Sequence, residues 1–537
     1  MIAPDATPLG TRDDAFRERF DAQSRRLRDV FTRLYGDHPD AETALDDTLA
    51  RATASWNARP LDLKVHDSRR LSDPGWMSSE RMLGGACYVD RYGGNLAGIR
   101  DQISYFRELG LTMLHLMPLF AQPEDGDDRD EAANRPRVDP SLGSIAQLTD
   151  LAADLRLSGI ALVLDVPLSR GERAATAPSA FAALADDILF VAERGVGVLR
   201  IDPTPFGDDA EAVLQGLHSV LAIAAPATAL MAAAGERGDL AALAPDACLL
   251  ADDPVPSALT WEALATRDAR LLQRGLDHRP APPDGTARVT HVRSADAVRW
   301  TFADTDAAEL GLDPHAHRRF LNEFYTGRFD GSFARGVPFP AGDDLTAASA
   351  VAGTTASLAG IEAEDPAGED RVILAHALAL SAGGVPMLWL GDEVAQLNDP
   401  TCADDPERRD DSRWVHRGNR PRDRYAQRHD ESTVAGRVNR RMTKLLSVRS
   451  ATPEFAGGAL LPFHTPHASV VGYQRPGEET VVLVLANVGD QEVTIDPLTL
   501  SGFERSARDI VRDSDVDLDD GVRLAPHGFT WLRVTPV

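Results

Sequence analysis

Asp202 is the carboxylate best placed by its surroundings to do chemistry. In VGVLRIDPTPF (196–206) four mostly apolar residues, Val198 to Ile201, lead directly to it. A short apolar run ending in Asp suits a buried parallel strand that opens onto a loop. In a barrel of alternating strands and helices, that end of a strand faces the site. The same carboxylate is equally suited to capping a following helix, and this stretch alone leaves both roles open.

Other reactive residue types carry weaker signals. Asp392 and Glu393 are adjacent in GGVPMLWLGDE (383–393), and neighbours on a strand point to opposite sides, so a structural role is expected of them. His115 lies inside the apolar run LTMLHLMPL (111–119) and reads as a satisfied barrel histidine. The acidic loop from Asp125 to Asp130 fits no calcium-loop spacing and reads as a solvated loop. Cys87, Cys248 and Cys402 are far apart in sequence and form neither a zinc pattern nor a disulfide framework. No metal and no cofactor is expected.

The elements that must position these groups follow from a repeating alternation that begins at Gly84. Eight apolar runs recur, at 84–89, 111–119, 160–166, 196–202, 228–233, 247–251, 287–293 and 385–391, separated by helix-length segments. Eight such units argue for an α/β fold, a (β/α)8 TIM barrel, rather than an open sheet. Before it, residues 1–83 carry Phe16, Phe20, Leu27, Val30, Phe31 and Leu34 at helical spacing and read as an N-terminal helical domain. The barrel is placed at 84–450, with an inserted subdomain at about 300–375 in the long gap before the eighth run. From 451 to 537 the period changes to two, in VVGYQR, TVVLVLANV, EVTID and FTWLRV, which indicates a C-terminal antiparallel β-sandwich.

Composition narrows the partners. The 537 residues include 56 basic against 83 acidic side chains, a net charge of -27, and 43% hydrophobic residues. Such a surface repels phosphate backbones and anionic lipid, so no nucleic acid and no membrane partner is expected. The N-terminal MIAPDATPLGTRDDAF has no basic start leading into an apolar segment, which makes a cytoplasmic location the expectation.

Five stretches together resemble glycoside hydrolase family 13, the α-amylase superfamily, and within it amylosucrase. They are GGACYVDRYGGNLAGIRDQISYFRELGLTMLHLMPLF (84–120), GVGVLRIDPTPF (195–206), RFDGSFARGVPF (328–339), GGVPMLWLGDE (383–393) and DDSRWVHR (410–417). The resemblance implies a retaining mechanism with sucrose or an α-glucan as substrate, in which a carboxylate nucleophile and a carboxylic acid stand roughly 5 Å apart. It assigns the nucleophile to Asp202, with Arg200 hydrogen-bonded to it, and the ring-steadying carboxylate to Asp296. Asp165, Asp127 and Arg413 follow as substrate contacts.

The resemblance also exposes departures. The general acid of the family's Lys-Ser-Glu falls on Ala233, with Glu236 as the best stand-in and Asp239 a poorer one. Two sugar-binding histidines fall on Ala295 and Arg170, and a stacking tyrosine falls on Asp130. The domain that the family inserts after the third strand is missing, since only about 30 residues separate Asp165 from Val196. These losses imply a catalytically impaired or inactive relative. The alternatives are an active α-glucosyl enzyme using Asp202 and Glu236, or a non-catalytic carbohydrate-binding protein, as a homo-oligomer or as the partner of an active homologue.

Overall fold

Strands buried on both faces build the centre of the molecule. The computed structural model describes residues 9–73, 75–121, 136–166, 174–234, 244–342, 349–406 and 408–537. In chain order the strands are β1 (Gly84–Tyr88), β2 (Met113–Met117), β3 (Ala161–Asp165), β4 (Val198–Ile201), β5 (Ala229–Ala232), β6 (Leu250–Asp252) and β7 (Ala287–His291). After β7 come three short strands, β8 (Val298–Arg299), β9 (Val337–Phe339) and β10 (Ala350–Ala352), and then β11 (Val385–Trp389). Strands β1 to β7 and β11 close a parallel barrel in the order β1-β11-β7-β6-β5-β4-β3-β2. All eight apolar runs read from the sequence are barrel strands.

Two separate cores follow from the alternation of side chains across each strand. One set of residues, including Met113, Val163, Val198, Met231, Val289 and Val385, fills the barrel interior, and Met77 and Met82 join this cluster. The other set, including Leu114, Leu162, Leu199 and Leu230, packs outward against the helices. Burying each such side chain contributes about 1.5–3 kcal/mol. The Gly383-Gly384 pair ahead of β11 has φ of 88° and 86°, a left-handed turn that only glycine adopts without strain.

The N-terminal helices Leu9–Tyr35, Ala41–Ala58 and Leu61–Leu71 precede the barrel, and the first two pack on the barrel helices Pro178–Ala192 and Ala210–Ala224. Phe31 meets Phe181 edge-on at 5.1 Å. Arg19 donates to the Ile223 carbonyl at 3.2 Å. A buried ion pair fixes the third helix: Arg59 donates to Asp67 at 2.6 and 2.9 Å, and the Ala227 amide donates to the same carboxylate at 3.1 Å. Both side chains are at most 2% exposed.

Between β7 and β11, helices Asp304–Glu309 and Pro314–Tyr325 accompany a small antiparallel sheet ordered β8-β10-β9. The C-terminal strands are β12 (Leu461–Pro462), β13 (Val470–Pro476), β14 (Val481–Asn487), β15 (Val493–Ile495), β16 (Ser506–Asp509), β17 (Ser514–Asp517), β18 (Val522–Leu524) and β19 (Phe529–Val534). They form a six-stranded sheet, β12-β13-β14-β19-β16-β17, and a two-stranded sheet of β15 with β18. Buried arginines moor this part of the chain through backbone carbonyls. Arg475 donates to the carbonyls of Ala456 and Gly457 at 2.8 and 2.9 Å, and Arg449 to those of Met82 and Gly384 at 2.8 and 3.0 Å. No helix among the described residues is long and apolar enough to cross a membrane.

The Arg59 to Asp67 clamp yields a stability prediction. Asp67→Ala leaves a guanidinium buried without its counter-charge, and the expected loss is about 3–5 kcal/mol in a urea titration. A loss below about 1 kcal/mol would show that the pair is not what holds this helix.

Candidate functional site

The parity that fills the barrel also decides what faces its C-terminal mouth. Inward positions toward that end include Tyr88, His115, Asp165, Arg200, Met231, Asp252, His291 and Trp389, one from each barrel strand. With the exception of Asp165, all of them line a cavity of about 370 Å³, which Asp296, Arg293 and Arg417 also border. Trp389 and Tyr88 lie 5.9 Å apart, ring to ring, and Tyr88 lies 5.6 Å from Trp414. One wall is therefore aromatic and suited to the apolar face of a sugar ring.

The polar side of the mouth is a chain of ionic hydrogen bonds. Asp165 and Arg200 stand in register on β3 and β4, and Arg200 Nη1 donates to Asp165 Oδ1 at 2.8 Å. The same guanidinium reaches past β5 to Asp252 on β6, with Nε and Nη2 donating to Oδ2 at 3.0 and 2.8 Å. His115 Nε2 lies 3.1 Å from Asp165 Oδ2. Burial pushes the Asp165 carboxyl up, but His115 and Arg200 outweigh it and hold the group well below the usual carboxylate range. For Arg200, burial lowers the pKa, and Asp252 and Asp165 together raise it above its ordinary value. Burial holds the His291 imidazole below its ordinary value although Asp252 and Asp253 oppose that shift.

Asp202 stands apart from this network. It is exposed and is not among the residues that line the cavity, and its Oδ1 accepts a hydrogen bond from the Thr204 amide at 2.9 Å at the start of the short helix Thr204–Asp209. The expected bond from Arg200 to Asp202 is replaced by the bonds to Asp165 and Asp252. The physical reason is local: β4 ends at Ile201, so Asp202 falls on the loop that follows and not on the strand. At the end of β5, the Ala233 amide donates to the Ile201 carbonyl at 2.8 Å, and its buried methyl stands where the resemblance expects an acid.

Asp296 and Arg413 do come together. Arg413 Nη1 donates to Asp296 Oδ1 at 2.7 Å, with the Asp296 side chain 62% exposed. Arg413 is also forked onto Asp411, by Nε and Nη2, at 2.8 and 2.9 Å. Glu236, Asp239, Asp127, Asp130 and Arg170 lie outside the described residues.

Asp392 and Glu393 are buried and face different partners. Asp392 accepts from Arg293 at 2.8 Å and Thr355 at 2.7 Å, and Glu393 accepts from Tyr105 at 2.9 Å and Tyr425 at 2.8 Å. His115 is satisfied by Asp165 and also borders the cavity, so its role is wider than filling the barrel. Sequence reasoning passed over Asp252, His291, Tyr88 and Trp389. Counting every second residue along the apolar runs would have found Tyr88, His291 and Trp389, whereas Asp252 lies one residue beyond its run.

The depressed Asp165 carboxyl sets a pH dependence. A carboxylate stabilised in the folded state contributes stability above its unfolded value of about 4 and loses it as pH falls through the lower folded value. Asp165→Asn is therefore expected to lower the unfolding free energy at pH 7 and to converge on the wild type as pH falls below about 4. Equal separation of the two denaturation curves at pH 7 and pH 3 would contradict this.

Residues 43–168 match the family described as the alpha-amylase catalytic domain. Neopullulanase 2 of Thermoactinomyces vulgaris is 34% identical over 74 residues, covering 14% of this chain and 12% of that protein. The chain spans only 5% to 12% of the length of the first two curated relatives it matches. Among solved structures, AmyP in complex with maltose superposes with a TM-score of 0.59 at 13% identity, over 87% of this chain and 98% of that one. Sucrose 6F-phosphate phosphorylase from Thermoanaerobacter thermosaccharolyticum superposes with a TM-score of 0.56 at 12% identity, over 78% of this chain and 95% of that one. At such identities the structural likeness is one of fold. The chain shares its fold with AmyP, and residues 43–168 match the family described as the alpha-amylase catalytic domain.

Proposed function

We propose that this chain is an amylosucrase-like relative of the α-amylase superfamily that keeps a saccharide-binding cavity and has lost most or all glycoside chemistry. The observation that carries this reading is the commitment of Arg200 to Asp165 and Asp252, with Asp202 exposed and its Oδ1 on the Thr204 amide. Retaining hydrolysis or transfer needs a nucleophile and an acid facing one sugar carbon. Here the proposed nucleophile is outside the cavity and the proposed acid position is Ala233. General acid catalysis alone contributes ~10²- to 10⁴-fold.

The ligand class in this reading is a neutral α-glucosyl saccharide, sucrose or a short α-glucan. The aromatic pair Tyr88 and Trp389, in one cavity with charged hydrogen-bonding groups, supports it. So does the company of relatives named for pullulan and of a neighbour solved with maltose. The short link between β3 and β4, whose described residues hold the helix Pro178–Ala192, supports a cavity with one open side, where water screens charges that would otherwise stabilise a transition state.

Two measurements test this. Fluoride release from α-glucosyl fluoride, whose leaving group needs no acid, is expected at background for the wild type and for Asp202→Asn alike. Release that Asp202→Asn abolishes would overturn the reading in favour of an active retaining enzyme, with Glu236 the first candidate for the acid. By calorimetry, maltose binding is expected in the wild type, and Trp389→Ala is expected to weaken it roughly 2- to 10-fold.

A further inference from the structure

The carboxylate expected to meet the sugar lies outside the cavity, yet the cavity has an anionic acceptor. Asp252, at the inward end of β6, borders it with a side chain 15% exposed. Both bonds from Arg200 fall on one of its oxygens, Oδ2. Among the described residues no hydrogen bond falls on the other oxygen, Oδ1. Strand β7 pairs alongside, with Asp252 opposite Val289, and His291 two residues further on also borders the cavity.

From this arrangement we infer that Asp252 is the specificity-determining acceptor of the cavity, taking a hydroxyl hydrogen bond from a neutral saccharide through Oδ1. The inference rests on the saccharide-binding reading above and names the residue that anchors the ligand. Three considerations favour it. First, the guanidinium that the sequence would assign to Asp202 grips Asp252 instead, so the preoriented carboxylate of the cavity is the one on β6. Second, a carboxylate with one oxygen already fixed is held in a single orientation, and an acceptor that needs no reordering binds at lower entropic cost. Third, Arg200 is already held by Asp165 and Asp252, so the second oxygen of Asp252 is the acceptor that this group of residues offers to the cavity. That oxygen suits a hydroxyl donor. Burial and pairing also distinguish Asp252 from Asp296, whose exposed carboxylate is engaged by Arg413 at the rim.

The experiment combines a conservative variant with single-hydroxyl deletions of the ligand. Maltose and its monodeoxy analogues are titrated by calorimetry into the wild type and into Asp252→Asn. The expected result is that one monodeoxy maltose binds the wild type roughly ten- to a hundredfold more weakly than maltose, as for a hydrogen bond to a charged group. Asp252→Asn is expected to bind maltose more weakly by a similar factor and to distinguish that analogue from maltose far less than the wild type does. A merely structural Asp252 would weaken all analogues equally and leave the wild-type preference intact in the variant, which would overturn the inference. Maltose binding unchanged in Asp252→Asn would also overturn it while leaving the saccharide-binding reading in place. No maltose binding by the wild type would overturn both. If Asp252→Asn fails to fold, the wild-type series still decides: equal affinity for every monodeoxy maltose removes the hydroxyl contact.

Discussion

One guanidinium sets the shape of the barrel mouth. Arg200 projects inward from β4 and joins carboxylates on β3 and β6, spanning the intervening β5, where Met231 offers no competing charge. A planar fork with five donors can serve two carboxylates at once, which a lysine ammonium cannot do with the same directionality. The Asp252 carboxylate, 15% exposed, would be costly alone and is tolerable because this cation faces it. The arrangement of His115, Asp165 and Asp252 at the mouth depends on that shared partner.

The consequence for function is one of competition. An arginine that holds two carboxylates has little capacity left to orient a third, and the chain beyond β4 supplies that third group on a turn rather than on the strand. Asp202 then finds a nearer partner in the Thr204 amide. In the reading proposed above, the site is a saccharide cavity reorganised around Asp252, with an aromatic wall from β1 and β11. The same scaffold then serves binding where a retaining glycosidase would place a nucleophile and an acid.

Much of the fold was legible in the sequence because its signals are local. The eight apolar runs, the helical spacing of Phe16 to Leu34 and the period-two texture after residue 451 each report which face is buried, and burial is what selects barrel, helix and sheet. The shorter strands β16, β17 and β18 escaped notice because SARD, SDVD and VRL are only three or four residues long and carry charged residues, too short a stretch to show a period. Of the site, Asp296 borders the cavity and Arg413 binds it, and each lies in a stretch whose motif was visible in the chain. Asp252 was invisible because LLADDP carries two adjacent carboxylates, and only strand register shows that the first of them faces inward.

The sequence by itself determined the barrel, its helical and β flanks, and the alanine at 233, because each of these is a property of residue type and periodicity along the chain. What only the tertiary structure decided is which carboxylates share Arg200. That choice depends on where β4 ends, on the register of β3 against β4, and on the reach of a side chain past β5 to β6. Hydrogen bonds are made over about 3 Å and here between strands far apart in sequence, so the pairing that defines this cavity exists only once the barrel has closed.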